Sequence, residues 1–265
     1  PGNSPVGSRM AIMLGGAAAR AAEKLKAKII AIAAHHLECD AAGIEYRGGA
    51  MLSANGRHIT WDDIIESAHR QIHRLPDGMD PGLASFDIMQ VPTGGDLPKD
   101  GKVHMYPCYS FEFHLVLVAF DPIIGKPEIR SYTIGHDCGT VINPAIVSGM
   151  TYGGIAHGIG AALLEEFAYD ESGQLMTQSF LDYLMPSSHE VPDIQLVKHC
   201  TPSPHTVFGQ KGSGESGYLG APAAISSAIN HAVAGLDISF DKLPIRMSVI
   251  SDKIASANYP RLDSE

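Results

Sequence analysis

The sequence predicts an α+β protein in which helices and strands are mixed and do not alternate as a βαβ series. Three observations carry this prediction: an alanine-rich segment of helical composition near the start, β-branched runs bounded by Gly and Pro in the middle, and no internal repeat. The 265 residues suffice for one large domain or two ordinary ones, and 45% hydrophobic against 18% charged residues is the balance of a globular chain with a buried core. The 28 Gly and 17 Pro predict many sharp turns.

Each element has its own signal. Ser4-Pro5-Val6-Gly7-Ser8-Arg9 reads as a loop opening a helix from Met10 to Leu37, flanked or capped at its end by His35 and His36. Residues 43–60, with turn signals at Gly48, Gly49 and Asn55-Gly56, predict a short hairpin. Thr60, with Asp63 three residues on, predicts an N-cap for an amphipathic helix from Trp61 to His73. Residues 74–106 are rich in Pro, Gly and Asp and predict a long connection. The expected lobes are therefore 1–100 and 101–265, together one module.

The second lobe is expected to begin with a hairpin, Tyr109 to Phe120 and Pro127 to Ile134. A glycine-rich helix from Met150 to Glu166 and a strand from Ile194 to His199 follow, then a Pro/Gly loop over 201–217. That loop enters a helix from Gly220 to Val233, and strand-like residues lie around Leu236 to Ser239 and Ile245 to Ile250.

Composition also excludes. A net charge of −10 without a basic run argues against a nucleic-acid binder, whose affinity comes from clustered Lys and Arg. Cys39, Cys108, Cys138 and Cys200 form no CxxC pair, so a zinc ribbon or iron-sulfur site on this chain is not expected. The most apolar stretch, Met10 to Ala34, is broken by Arg20, Glu23, Lys24, Lys26 and Lys28, and predicts no membrane span. The start, Pro-Gly-Asn-Ser-Pro, carries no signal-peptide pattern and reads as the interior of a longer sequence.

Three segments could carry chemistry. Gly209 to Gly217 holds Lys211 and Glu215 among glycines ahead of a helix. It satisfies G-x-G-x-x-G over Gly212 to Gly217, but Thr201-Pro202-Ser203-Pro204 stands where a dinucleotide fold needs a strand. Glu215 is then either a general base approached across small residues or a cap on the following helix. The opening loop suits an anion at a helix start, or is an ordinary N-cap. His157, between glycines, is either a site residue or a core histidine. His69 and His73 share the H-x-x-x-H spacing without the Glu of a zinc motif, and neither a G-x-S-x-G elbow nor a P-loop is present.

In order, Gly2 to Gly16, Ile134 to Pro144, Gly158-Ile159-Gly160 with Glu165-Glu166, and Lys211-Gly212-Ser213-Gly214-Glu215 resemble the C-terminal part of the molybdenum-binding subunit of the xanthine oxidase family. That family includes aerobic carbon monoxide dehydrogenases and bacterial hydroxylases of N-heterocycles. The resemblance implies its molybdopterin-binding fold and a molybdenum-pterin cofactor, with the cytosine dinucleotide form among the options, held without protein metal ligands. It implies Glu215 as the base that takes a proton from the attacking, water-derived oxygen. Val6, Gly7, Ser8, Arg9, Met10 and Ala11, together with His157 and Gly214, are implied on the cofactor side. Met150 and His157 stand where the family commonly shows glutamine.

The resemblance further implies a cytoplasmic, multi-subunit oxidoreductase acting on a small-molecule C–H bond of an N-heterocycle or aldehyde. Its partners would be a second chain carrying the N-terminal half of the molybdenum subunit, an iron-sulfur subunit with [2Fe-2S] and a flavin subunit with FAD. Carbon monoxide oxidation, which would need a copper-binding cysteine on the partner chain, and a non-catalytic cofactor-binding or assembly module are the alternatives.

Overall fold

The structure is a computed structural model that describes residues 6–90, 100–102, 106–121 and 123–257; Ser4 and Pro5 of the opening loop lie outside them. The chain divides into two compact units. One is Ile12–Val91, and the other comprises Pro1–Ala11 with Pro92–Glu265.

In the smaller unit, α1 runs Met10–Leu37 as its alanine-rich composition predicts, with His35 and His36 in its last turn, where the helix dipole favours them. The chain then forms a three-stranded antiparallel sheet: β1 Ile44–Arg47, β2 Ala50–Ser53 and β3 His58–Thr60, in that order. This is one strand more than the expected hairpin, because both turn signals reverse the chain, at Gly48 and Gly49 (φ +60° and +83°) and at Gly56 (φ +82°).

Helix α2, Trp61–His69, starts on the predicted cap, with Thr60 and Asp63 forming a reciprocal capping box. It stops four residues short of the expected His73. Pro76 disfavours helical backbone at Leu75, which is extended, and Ile72–Arg74 form only a 3-10 turn. His69 and His73 therefore share no helix face. Among the described residues no group of three or more His, Cys, Asp or Glu side chains could hold a metal ion. The core is apolar, with Ile32, Ala33, Ile64 and Ala68 packed with Ile29, Leu37, Met51 and Ile59.

In the larger unit, β4 Phe111–Asp121 and β5 Lys126–Asp137 form the expected hairpin, with a register shift between Leu117 and Val118. β6, Ile194–His199, pairs with β5 in parallel. Parallel neighbours need a crossover, and the connection here contains α3, Pro144–Leu163. α3 begins earlier than expected, since Asn143 caps it by accepting from the Ala145 and Ile146 amides and Pro144 fits the first turn. α4, Ala221–Ala232, follows the glycine-rich loop.

The two expected C-terminal strands are absent. Residues 234–236 make a 3-10 turn, Asp237 is left-handed (φ +54°), and the Asn230 side chain takes both main-chain groups of Phe240, so that residue has none left for a ladder. The last segment is instead α5, Met247–Ser256, whose Ile250 and Ile254 are buried at helical spacing. The core joins Tyr132 and Ile134 of β5 to Ile155 and Ile159 of α3, Ile225 and Ile229 of α4, and Ile250 of α5. Along β4 the alternating residues Phe111, Phe113, Leu115 and Leu117 remain exposed.

Candidate active site

The glycine-rich loop is tied to the end of β5 before it reaches Glu215. Gly139 and Gln210 form an antiparallel bridge, the Thr140 amide donates to Gly209 O at 3.1 Å, and the Lys211 amide donates to Cys138 O at 2.7 Å. Gly139 (φ +66°) is required there, because a Cβ would collide with Gly209 O. Under this bridge Lys211 Nζ donates to Asp137 Oδ2 at 3.2 Å and to Thr201 Oγ1 at 2.7 Å, with both charged side chains buried. Burial alone would raise the Asp137 pKa. The Thr201 hydroxyl, the Gly139 and Thr201 amides and the Lys211 ammonium outweigh that and hold it far below the usual carboxylate range. Two of the four segments named in the sequence thus meet because one holds the other in place.

The opening loop docks on the same glycines. Gly7 and Ser8 are both left-handed (φ +58° and +56°), an uncommon conformation for serine. It aims Ser8 Oγ at the loop: Ser8 Oγ donates to Glu215 Oε2 at 2.8 Å, and the Glu215 amide donates to Ser8 Oγ at 3.1 Å. Gly212 permits the approach, since a Cβ there would lie 2.5 Å from Ser8 O. The Gln210 side chain, almost fully buried, donates to Ala11 O at 2.8 Å. Helix α3 supports the loop from below: a Cβ on Gly154 would strike Ser216 O, and one on Gly158 would lie 2.5 Å from Ala221 Cβ.

Of the residues expected from the sequence, the structure brings one group together. Ser8, Gly214 and Glu215 are in mutual contact, and Met150 reaches the Gly214 position, where a Cβ would lie 3.6 Å from its Cε. His157 is exposed rather than a core histidine, and its ring stacks on Tyr218 at 4.5 Å between centroids. Val6 and Met10 are exposed beside Ser8. Glu215 is exposed in this chain and does not cap α4, whose N-cap is Gly220 without a side-chain bond.

The donor set suits an anionic cofactor group. The first turn of α1 contains no acidic residue, its leading amides have no partner within the helix, and Arg9 precedes it directly. The arrangement presents backbone amides at a helix start, with the Ser8 hydroxyl bonded to the Glu215 carboxylate next to them.

Sequence reasoning missed a buried polar cluster behind the loop. Glu112 Oε1 accepts from the Gly217 amide at 2.7 Å, and its Oε2 lies 3.2 Å from His114 Nε2. His114 Nδ1 lies 2.8 Å from the Tyr132 hydroxyl, and His136 Nε2 lies 2.9 Å from Ser216 Oγ. Burial works against ionised Glu112, but bonds from His114 and the Gly217 amide prevail and its pKa is lowered. Burial also lowers His136, which favours its neutral form, and raises Tyr132 far above the ordinary phenol value, so Tyr132 donates to His114. The signal was present as Glu112 and His114 at period two within an otherwise apolar strand, both facing one side.

Residues 1–192 match the molybdopterin cofactor-binding domain family. The chain belongs to that family and is part of a molybdenum-binding subunit of the xanthine oxidase type, as the four sequence blocks suggested. It is 34% identical to the nicotine 6-hydroxylase large subunit of Paenarthrobacter nicotinovorans, over 92% of this chain and 28% of the relative. It is 31% identical to the carbon monoxide dehydrogenase large chain of Afipia carboxidovorans, over 90% and 28%. The crystal structure of quinoline 2-oxidoreductase from Pseudomonas putida 86 superposes with a TM-score of 0.77 at 32% identity, covering 94% of this chain and 30% of that one. The chain thus spans less than a third of the length of these relatives.

Proposed function

We propose that this chain is the cofactor-proximal part of a multi-subunit molybdenum hydroxylase that oxidises a C–H bond with water-derived oxygen, with Glu215 as its base. The observation that carries the proposal is the pair of hydrogen bonds between Ser8 and Glu215, which fixes both the carboxylate and the amide of Glu215 at a helix start suited to an anionic pterin. When bound, the cofactor supplies the redox centre that takes two electrons from the substrate.

The chain's own residues do the positioning. Val6, Gly7, Ser8, Arg9, Met10 and Ala11 hold the pterin or its phosphate, in the cytosine dinucleotide form, with Gly214 and His157 beside it. Ser8 occupies Glu215 Oε2 and leaves Oε1 to take the proton from the attacking oxygen. An N-heterocycle is the preferred substrate class, supported by relatives named for nicotine and quinoline; an aldehyde is the other member of that reading.

We further propose that a second chain completes the molybdenum subunit, with [2Fe-2S] and FAD on separate partners in a cytoplasmic complex. Relatives named as large or gamma subunits support partners, and the exposed row Phe111, Phe113, Leu115 and Leu117 supports a covering chain. No helix among the described residues is long and apolar enough to cross a membrane. The likeness to a carbon monoxide dehydrogenase large chain supports carbon monoxide oxidation as a second reading, marked by a copper-binding cysteine on the partner chain.

Glu215→Gln tests the base: turnover in the complete enzyme is expected to fall by about 10²-fold or more with molybdenum content unchanged. Near-normal turnover would overturn the assignment. Molybdenum near one atom per copy of this chain, with iron and at least one further subunit, is expected by mass spectrometry of the native complex. A single polypeptide of the relatives' full length would remove the split subunit, and a complex without molybdenum, once cofactor loss is excluded, would leave the non-catalytic module.

A further inference from the structure

We propose that Glu112 is a positioning residue for the catalytic loop, acting on Glu215 through the Gly217 amide; the inference rests on Glu215 being the base. Among the described residues the bonds of Glu112 run to the Gly217 amide and to His114, while Glu215 itself is bonded to Ser8. Glu112 lies on β4 directly opposite His136 of β5, with its side chain 15% exposed and those of His114 and His136 at 6% and 2%.

A buried carboxylate is costly to retain, and a main-chain carbonyl would satisfy one amide at much lower cost. What the carboxylate adds is a charge-assisted bond, roughly twice as strong as a neutral one, onto a residue two positions from Glu215. Its second oxygen is held by His114, and His114 by Tyr132, so the acceptor cannot rotate away. The tautomer follows from the bonding: Tyr132 donates to Nδ1, and Nε2–H donates to Glu112.

The same cluster reaches the other side of the base. His136 bonds Ser216 Oγ, which lies 3.1 Å from Ser213 Oγ, so Ser213, Ser216 and Gly217 are all tied to groups behind the loop. Gly217 (φ +84°) leaves no slack, because a Cβ there would strike Thr151 O of α3. Ser8 holds Glu215 from the front and this cluster holds its neighbours from behind. A displacement of about 1 Å of a reacting group costs on the order of 10²-fold in rate.

The test compares Glu112→Ala, Glu112→Gln and Glu215→Gln in the complete enzyme, reading molybdenum content, hydrogen exchange of the 213–217 amides, and kcat and KM with nicotine or quinoline as probes. For Glu112→Ala we expect exchange at least about tenfold faster and kcat down about tenfold or more, with KM within about twofold and molybdenum unchanged. Glu112→Gln keeps an acceptor oxygen without the charge and is expected to fall between Ala and wild type.

Unchanged exchange in Glu112→Ala, or a raised KM with kcat intact, overturns the proposal. If the Ala variant does not assemble, Glu112→Gln decides: the 213–217 amides must exchange faster, and unchanged exchange overturns the anchor. Failure of the base reading is distinct, since Glu215→Gln would then turn over normally while the Glu112 variants still exchange faster; it removes the catalytic role of the anchor.

Discussion

The two units bury polar groups for different purposes. In Ile12–Val91 the core is aliphatic, and its buried polar groups are serines: Ser67 Oγ donates to Asp63 O at 2.7 Å and lies 2.9 Å from His36 Nε2, and Ser53 Oγ donates to Arg57 O at 3.1 Å. In the larger unit Glu112, His114, His136, Asp137 and Lys211 are withdrawn from water together, all within reach of one loop. Burying charge adds little net stability against an apolar alternative, whereas breaking one buried partner is severe. The small unit's polar groups lie within its apolar core, and those of the large unit bond the loop that carries Glu215.

The largest effect that would sharpen this contrast is Asp137→Asn. It leaves Lys211 Nζ buried without its counter-charge, and a loss of about 3–5 kcal/mol is expected in denaturant unfolding of the purified complex. A loss under about 1 kcal/mol would erase the distinction between the units. The pH dependence has a defined sign. Asp137 and Glu112 both titrate below their ordinary values when folded, so the unfolded chain binds more protons in acid. Their contribution is complete above the unfolded values and is lost as pH falls through the folded ones. Acid unfolding should therefore steepen below about pH 4, and Asp137→Asn should flatten it.

Legibility in the sequence followed the same division. Elements governed by local chemistry were readable: the Ala-rich α1, the Thr60 cap, and β6 from Ile194 to His199. Those set by distant partners were not. The segment around Leu236 to Ser239 has strand-like residues, but the Asn230 side chain, ten positions earlier, takes the Phe240 main chain, and nothing in residue type announces that bond. Glu215 and the opening loop could be named separately because glycine patterns and helix starts are local signals. Their union through Ser8 spans 207 positions. Glu112 and His114 stood out at period two in an apolar strand, but the role of Glu112 did not, because its partner is a main-chain amide 105 positions away, which leaves no mark in residue type.

A smaller effect is expected where the small unit is cut. Ile64 is fully buried between α1 and the three-stranded sheet, so Ile64→Ala should cost about 2–5 kcal/mol through lost transfer energy and the cavity left behind. Measured below its melting point, the assembled variant should keep its molybdenum and its turnover. Loss of turnover at full molybdenum occupancy would mean that the small unit, too, bears on the proposed role of Glu215.

The smallest effect lies at the start of α2. Thr60 Oγ1 accepts from the Asp63 amide at 3.2 Å, while Asp63 Oδ2 accepts from the Thr60 amide at 3.3 Å and from its hydroxyl at 2.6 Å. Thr60→Ala removes two of these three bonds, and about 1 kcal/mol is the expected loss in denaturant unfolding. The Thr60 hydroxyl is also the main group lowering the Asp63 pKa, so the same variant should raise it toward the ordinary carboxylate value, read by NMR titration. Thr60→Ser restores the hydroxyl and should return both quantities. A carboxyl that shifts without a stability loss would mean that burial of Ile64 and Ala68 already fixes the helix start, leaving the apolar core as the source of this unit's order.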